Sequence, residues 1–263
     1  EIPSRHLGLS LDEDFCFEEF ADRVAELVEK HVNINRLLEL TKPVATAVVP
    51  ISAGRHIYKR EPSFPIAVAC DPAFNFVYEA NIRYLHHLGE VTYFSPLADT
   101  SLPDAGFVYL PGGYPELYLA ALSANRQMLQ SIRRYVESGG KLLAECGGMM
   151  YLCDEIRDKN GYVYPMAGVL HQSATMENMK LRLGYRTLLY NETRLKGHEF
   201  HYSRLVEQQN PLPSCAVAYT AKGVETDTPL YHYKNVWAGY THLYWADPVG
   251  NEWFTKFVID GNI

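Results

Sequence analysis

A cysteine followed by two glycines is the sharpest chemical feature of the sequence. Residues 141–145 suit a strand with an apolar centre, Cys146 follows them, and residues 147–152 continue as Gly-Gly-Met-Met-Tyr-Leu. A strand that turns sharply into a helix at a nucleophile has this layout, because small residues let the strained backbone fold back closely on itself. We therefore interpret Cys146 as a candidate nucleophile, with the N–H of Gly147 directed at the position of an oxyanion.

The same segment predicts an activated thiol. The first turn of a helix favours negative charge, so a cysteine at that point is biased toward its thiolate. A buried structural cysteine is the alternative, because free cysteines are among the most buried residues. A merely packed cysteine does not need the glycine turn, which favours the nucleophile, although Ala144 stands where the elbow template has a glycine.

A second glycine pair ends another predicted strand, one strand-helix unit earlier. Residues 111–116 read Pro-Gly-Gly-Tyr-Pro-Glu. Glycine N–H groups that no side chain covers are a second source of oxyanion donors, and an ordinary turn between strand and helix is the alternative. The elbow in the next unit favours the first interpretation.

A thiol nucleophile needs a base, and the sequence holds ten histidines. His86 and His87 fall within a predicted helix and are expected on its surface. His198, His201 and His242 lie on or directly after predicted strands, and the pattern of residues alone does not choose between them.

Two of these histidines belong to residues 197–203, which read Gly-His-Glu-Phe-His-Tyr-Ser. The order is one residue short of the zinc motif His-Glu-x-x-His. Positions three apart on a strand face opposite sides, so His198 and His201 cannot share a metal ion. Glu199 and His201 are predicted on one face, with His198 and Phe200 on the other. A hydrogen-bonded strand and a functional cluster both stay open as interpretations.

The elements that must position these residues alternate between strand and helix. Helical spacing from Asn75, a candidate cap, to Gly89, a candidate stop, and again over 127–138 separates short apolar runs. This alternation predicts an α/β fold with a mostly parallel open sheet and helices on both faces. The predicted strands of this part are 66–70, 90–94, 106–110 and 141–145.

An added β-rich segment is predicted beyond about residue 161. It holds short runs of β-type residues separated by turn residues, and a last helix is predicted where Asp247-Pro248 supplies a cap and a first helical position. The β-type runs include 182–189, 198–203, 215–220 and 236–241.

The sequence before the sheet has a different character. Apolar residues at helical spacing predict helix over 17–40, and residues 59–65, with two prolines and three charges, predict a linker. The predicted domains are residues 1–60 and 65–263. The first residue is Glu1 and not Met, which we interpret as the start of a processed or excised piece of a longer protein.

Composition limits the classes of function. The 263 residues carry 24 Lys and Arg against 31 Asp and Glu, a net charge of −7, which argues against a nucleic-acid surface. No apolar stretch is long enough to cross a membrane, and five scattered cysteines do not form a disulfide framework, so a cytoplasmic protein is expected. Phosphate-binding glycine motifs and Cys-x-x-Cys do not occur, so no cofactor and no metal are expected on this chain.

Three of these segments together resemble one family. Residues 111–116, 144–148 and 197–203 resemble the glutamine amidotransferase domain of the cobyrinic and cobyric acid synthase type, a class I amidotransferase-like domain with a flavodoxin-like core. Residues 3–9, Pro-Ser-Arg-His-Leu-Gly-Leu, resemble the end of the ATP-binding domain of cobyrinic acid a,c-diamide synthases. The resemblance implies that residues 1–60 are the end of a synthetase domain plus a linker and that residues 65–263 are the amidotransferase domain.

The resemblance also implies roles for single residues. Cys146 matches the nucleophile, His242 matches the histidine that activates it, and Gly113 and Gly147 fall where the oxyanion-hole amides would be. Many related enzymes have a glutamate two residues after the histidine, whereas Tyr244 stands there in this chain, which agrees with a Cys-His dyad. The possible substrate or support residues are Gly112, Tyr114, His198, Glu199 and His201.

The implied activity is hydrolysis of L-glutamine to supply ammonia for ATP-dependent amidation of tetrapyrrole side-chain carboxylates in cobalamin biosynthesis. ATP and Mg²⁺ are expected in the upstream synthetase domain, which is the expected partner together with the corrin substrate, and this portion alone is expected to be weakly active. The alternatives are the same domain of a cobyric acid or nickel-sirohydrochlorin amidating synthase, a stand-alone cysteine hydrolase of the same fold, and a catalytically silent assembly domain.

Overall fold

The computed structural model describes residues 17–41 and 64–260. The chain divides into two compact units, residues 1–57 and 58–263. The linker predicted at 59–65 lies outside the described residues except for its last two positions, and the segment 3–9 lies wholly outside them.

The described part of the first unit is helical. Helix α1 spans Phe17–His31 and helix α2 spans Ile34–Leu40. The helix predicted over 17–40 is confirmed over these two ranges, with a break between them. The side chain of Asn33 accepts a hydrogen bond from the N–H of Arg36 at 2.9 Å and so caps the start of a second helix.

The second unit alternates strands and helices up to residue 152 and is rich in β-strands after it. In chain order its elements are β1 (Phe64–Ala69), α3 (Glu79–Leu88), β2 (Gly89–Phe94), β3 (Phe107–Leu110), a 3₁₀ turn (Pro115–Leu117), α4 (Leu119–Ala124), α5 (Arg126–Glu137), β4 (Lys141–Glu145), α6 (Gly147–Leu152), β5 (Glu155–Arg157), β6 (Val163–Pro165), β7 (Ser173–Thr175), β8 (Arg182–Tyr190), β9 (Thr193–His201), β10 (Arg204–Leu205), β11 (Val217–Thr220), β12 (Glu225–Thr226), β13 (Leu230–Tyr233), β14 (Val236–Gly239), β15 (His242–Leu243), α7 (Pro248–Thr255) and a π-helical turn (Lys256–Asp260).

The central sheet has six strands in the order β13-β14-β4-β3-β1-β2. All neighbouring strands pair parallel except β13 and β14, which form an antiparallel pair at one edge. Parallel neighbours need crossover connections, and the helices between the strands supply them. The predicted α/β fold with a mostly parallel open sheet is confirmed.

Helices cover both faces of this sheet. Leu142 and Ala144 of β4 contribute to one core, to which α5 contributes Ile132. Leu143, between them in sequence, contributes to the other core together with Phe254 of α7. Successive side chains of a strand face opposite sides, so a strand that is apolar at every position supplies both cores.

The predicted β-rich segment forms two further sheets. One has the order β12-β11-β8-β9-β15 and is antiparallel, and the other has the order β10-β7-β5-β6. The short strand β15 pairs His242 with His198 of β9. Since β15 follows β14 after two residues, this pairing brings β9 to the carboxyl edge of the central sheet.

The helix predicted from Asn75 begins later than expected. Phe76 forms an isolated β-bridge with Gly112, and its N–H donates to the carbonyl of Gly112 at 3.0 Å. The chain therefore stays extended through these residues, and α3 starts only at Glu79. The prediction of Asn75 as a helix cap is wrong.

The last helix begins where the sequence predicts it. The carboxylate of Asp247 accepts a hydrogen bond from the N–H of Gly250 at 2.7 Å, and Pro248 occupies the first helical position. In residues 17–41 and 64–260, no helix is long and apolar enough to cross a membrane.

Candidate active site

Cys146 lies at the sharp turn between β4 and α6. Its backbone has φ of 48° and ψ of −107°, a strained conformation for a residue with a side chain and one typical of a nucleophile elbow. Its N–H donates to the carbonyl of Gly239 at 2.8 Å, which ties the elbow to the end of β14. The side chain is buried, with 5% of its surface exposed.

The thiol of Cys146 is not preset as a thiolate. Burial raises its pKa well above the usual value and the charge of Glu116 raises it further, whereas the N–H of Gly147 lowers it. Helix α6 has only six residues, and the desolvation of the thiolate outweighs the field of so short a helix. The prediction of a lowered thiol pKa is wrong. A neighbouring base has to take the proton of this thiol during reaction.

The backbones of Gly113 and Gly147 lie close together beside the elbow. A Cβ built on Gly147 would lie 3.2 Å from the nitrogen of Gly113 and 2.7 Å from Cδ of Pro115. Gly113 has φ of 156°, and a Cβ there would lie 2.2 Å from the carbonyl oxygen of Ala73, so glycine is required. The N–H of Tyr114 donates to that carbonyl at 2.9 Å, whereas the N–H of Gly113 has no acceptor among the described residues. It is available to an oxyanion.

His242 is buried at the same edge of the sheet, with 3% of its surface exposed. A Cβ built on Gly112 would lie 2.2 Å from its Cε1, so the imidazole packs directly against the backbone that leads to Gly113. The ring of Phe76 contacts it edge-on, with ring centroids 4.5 Å apart. The glycine pair therefore provides one free amide and the space for one imidazole.

The imidazole of His242 is a neutral base. Burial lowers its pKa to about 3, and His198 and His201 lower it further, while the charge of Glu199 opposes them. Its Nδ1 is buried and has no hydrogen-bond partner in the part of the chain that the structure describes. Tyr244, two residues later, does not supply the acceptor that a triad carboxylate would supply.

A buried carboxyl group links the nucleophile to the histidine. Glu145, which precedes Cys146, accepts a hydrogen bond from the N–H of Leu243 at 3.0 Å and another from the hydroxyl of Tyr109 at 2.6 Å. Leu243 directly follows His242. Burial raises the pKa of Glu145 to about 8, and the two hydrogen bonds limit the rise.

The face alternation predicted for β9 is confirmed by one buried cluster. Oε1 of Glu199 lies 2.7 Å from Nε2 of His201, while Oε2 accepts hydrogen bonds from Arg186 at 2.5 Å and from Thr228 at 2.9 Å. His201 also stacks on Tyr240, with ring centroids 3.7 Å apart. Because its polar atoms are paired with one another, this cluster reads as a structural network.

His198 lies on the other face of β9 and is half-buried. Its ring stacks on that of His242, with centroids 4.9 Å apart and an interplanar angle of 19°. Its Nδ1 lies 2.5 Å from the hydroxyl of Tyr78. The other histidines with a predicted location, His86 and His87, are exposed in the last turn of α3, as expected.

The structure brings the predicted residues Cys146, Gly113, Gly147 and His242 to one edge of the central sheet, with the half-buried Tyr114 beside them. Sequence reasoning did not find Glu145, for which an acidic residue inside a buried strand was the available signal. It also missed two aromatic residues next to the histidines, Phe76 and Tyr78, because it assigned them to a helix.

Over residues 17–41 and 64–260, no group of three His, Cys, Asp or Glu side chains is arranged to hold a metal ion.

Comparison with known proteins gives a family match over most of this unit. The family described as the CobB/CobQ-like glutamine amidotransferase domain matches residues 65–249. A hydrogenobyrinate a,c-diamide synthase from Stutzerimonas stutzeri is 36% identical over 95% of this chain and 56% of its own length. A cobyrinate a,c-diamide synthase from Leptospira interrogans is 34% identical over 93% of this chain and 56% of its own length. The chain thus spans about half the length of the curated relatives it matches.

A solved structure, PurLQS from Thermotoga maritima, is 17% identical with a TM-score of 0.49, over 75% of this chain and 96% of that one.

Proposed function

The chain belongs to the CobB/CobQ-like glutamine amidotransferase family, and from that membership we propose that it hydrolyses L-glutamine at Cys146 and supplies the ammonia for amidation of a tetrapyrrole. One observation carries the assignment of the site. A strained cysteine elbow, a free glycine amide in contact with it and a neutral buried histidine meet at one edge of the sheet. Each is a part that acyl transfer from an amide requires.

In the first step the thiol of Cys146 adds to the side-chain carbonyl of glutamine. Both the thiol and the imidazole of His242 are neutral before reaction, because burial opposes the charged form of each. The proton therefore moves from sulfur to the imidazole as the carbon–sulfur bond forms. The oxygen of the tetrahedral intermediate becomes negative and accepts hydrogen bonds from the N–H groups of Gly113 and Gly147.

In the second step the imidazolium returns the proton to the leaving nitrogen, and ammonia departs as the carbon–nitrogen bond breaks. A glutamyl thioester stays on Cys146. The neutral imidazole then takes a proton from water, the water oxygen adds to the thioester, and collapse of the second intermediate releases glutamate and the thiol. His242 thus alternates between base and acid without a net change.

The activity of the whole protein is part of the proposal. The relatives that share most of this chain are named cobyrinate and hydrogenobyrinate a,c-diamide synthases. We assign the same reaction class here, in which an upstream synthetase portion uses ATP and Mg²⁺ to activate corrin carboxylates for the ammonia made at Cys146. The reducing cytoplasm is its compartment, where free thiols such as those of Cys146 and Cys153 persist.

The site is tested by labelling the protein with 6-diazo-5-oxo-L-norleucine, a glutamine mimic whose diazo carbon binds sulfur and loses N₂. Peptide mass spectrometry then locates the adduct. We expect it on Cys146, with protection by L-glutamine.

Cys146→Ser should abolish the adduct, and Cys153→Ser is the matched control because Cys153 is also a free and fully buried cysteine. A protected adduct that persists in Cys146→Ser contradicts the assigned nucleophile. The wider reaction is tested by incubating the protein, joined to its synthetase portion, with ATP, glutamine and cobyrinic acid and counting amides by mass. Amides formed equally with glutamine omitted contradict the proposal.

A further inference from the structure

His242 lacks the usual means by which a catalytic imidazole is oriented. In a triad, a carboxylate accepts a hydrogen bond from Nδ1 and so fixes the ring and its tautomer. Here Nδ1 is buried without a partner among the described residues, and Tyr244 stands two positions on. A ring that rotates about its side-chain torsions would spend much of its time misaligned with the thiol, so something else has to hold it.

The described contacts of the ring are almost all with other rings and with backbone. One face stacks on His198, at 4.9 Å between centroids and 19° between planes. The edge-on ring of Phe76 lies 4.5 Å away, and Gly112 closes the side of Cε1. The stack is set by the main chain as well, because His242 and His198 are paired residues of β15 and β9. Directly paired residues hold their side chains side by side on one face.

His198 is itself held in place. The hydroxyl of Tyr78 lies 2.5 Å from its Nδ1, and the ring of Phe76 packs against it at 5.4 Å. Burial raises the pKa of Tyr78 to about 12, so its hydroxyl keeps its proton and donates. Nδ1 of His198 is then the acceptor, and the ring stays neutral because burial also lowers its own pKa. A neutral ring stacks on the imidazolium of His242 without charge repulsion.

We propose that His198 is a positioning residue, which orients His242 by stacking on it in the role that a carboxylate has in a triad. Strand β9 then contacts both the base and the nucleophile. His198 stacks on His242, and the carbonyl oxygen of Phe200 lies 3.9 Å from the sulfur of Cys146. This inference rests on the proposed function, because it assigns a partner to the histidine of that reaction. It gives the segment 197–203 a role in the reaction, through His198, in addition to the structural role of its buried Glu199 cluster.

The test compares His198→Ala with His198→Phe in the labelling of Cys146 by 6-diazo-5-oxo-L-norleucine. Stacking needs a flat ring but does not depend on the ring nitrogens. The alanine variant should therefore label about 30-fold more slowly than the unchanged protein at saturating reagent, while the phenylalanine variant should label within about threefold of the unchanged rate. The half-saturating concentration should change in neither variant, since His198 does not bind the reagent. His232→Ala is the matched control, because His232 stacks on Trp237 at 4.4 Å on the edge strand β13.

Labelling of His198→Ala at the rate of the unchanged protein overturns the inference, as does a phenylalanine variant as slow as the alanine one, which would point to the ring nitrogens. If the alanine variant does not fold, His198→Leu replaces it as the variant without a flat ring. Its labelling should be as slow as that expected for alanine, and labelling at the rate of the unchanged protein overturns the inference. A protein without substitutions that gains no adduct on Cys146 contradicts the proposed function and not this inference, so the two failures are distinguishable.

Discussion

The backbone of Gly112 lies against the imidazole of His242 so closely that a Cβ at residue 112 would be 2.2 Å from Cε1. The two residues are far apart in sequence, yet this contact limits how far the ring can move on the side of Gly112. We expect Gly112→Ala to push the ring aside and to slow labelling of Cys146 about 100-fold, because a displacement of about 1 Å is enough for such a loss. The measurement is the labelling rate, with the free energy of unfolding determined in parallel.

The control for Gly112→Ala is Gly140→Ala. A Cβ at residue 140 would also be too close to a ring, at 2.4 Å from Cε1 of Tyr135, but in the turn between α5 and β4. Both variants are expected to lose about 1–3 kcal/mol of stability from overpacking, and only Gly112→Ala is expected to lose labelling. Equal labelling by the two variants would show that the contact does not control His242.

The pH dependence of labelling follows from the buried imidazole of His242. Protonated imidazole cannot take the thiol proton, so the rate falls as the pH falls through the pKa of this group. That pKa is about 3. We therefore expect a rate that is constant between about pH 5.5 and 8, where an exposed histidine would lose half of its base form near pH 6.5.

The same samples provide an internal comparison. Cys70 is exposed, and its alkylation by iodoacetamide in the same samples shows how a thiol in contact with water behaves. If the labelling rate of Cys146 instead fell to half of its maximum near pH 6.5, water would have to reach His242, and the site would be more open than in the structure.

Local patterns were enough to predict the elements and the elbow. The alternation of strand and helix up to residue 152 predicted the parallel sheet, and the period of two along β9 predicted that Glu199 and His201 share a face. Asp247-Pro248 predicted the last helix, because capping depends only on neighbours in sequence. These features share one property, which is that their cause lies within a few residues.

The features that sequence reasoning missed depend on contacts between distant segments. Asn75 resembles a cap, but the bridge between Phe76 and Gly112 keeps that chain extended. The thiol of Cys146 resembles an activated one, but burial raises its pKa. The stack of His198 on His242 depends on the pairing of β9 with β15. Strand β15 has two residues, which are too few to show the alternation by which a strand is predicted from sequence.

Removing the cation of the buried ion pair between Arg186 and Glu199 should cost far more stability than removing Arg182, the cation of an exposed pair, from the same strand. The two groups lie 2.5 Å apart, with side chains 10% and 1% exposed. Arg186→Met leaves the carboxylate of Glu199 buried without its cation, and we expect a loss of about 3 kcal/mol in the free energy of unfolding. Arg182→Met is the matched control, since Arg182 pairs with the exposed Asp227 and should lose no more than about 1 kcal/mol. Similar losses in urea denaturation of the two variants would contradict this account of the cluster.

The buried carboxyl group of Glu145 should make the protein less stable as the pH rises. Its pKa is raised from 4.5 to about 8, so between these values the folded state keeps a proton that the unfolded state releases. Stability then falls with pH, by up to about 1.4 kcal/mol per unit. Glu145→Gln has no proton to lose, while its amide oxygen can still accept from the N–H of Leu243 and its amide nitrogen can donate to Tyr109. We expect the variant to gain stability over the unchanged protein steadily from about pH 5 to pH 8.

Urea denaturation across that pH range measures this difference, with Glu225→Gln as the control because Glu225 is exposed on the edge strand β12. Only the substitution at residue 145 should flatten the slope, since only there does folding move the carboxyl group out of water. Parallel stability curves for Glu145→Gln and the unchanged protein would mean that Glu145 is ionised in the fold. Its hydrogen bond to the residue after His242 would then be charge-assisted, and the link between nucleophile and base would rest on a carboxylate and not on a neutral acid.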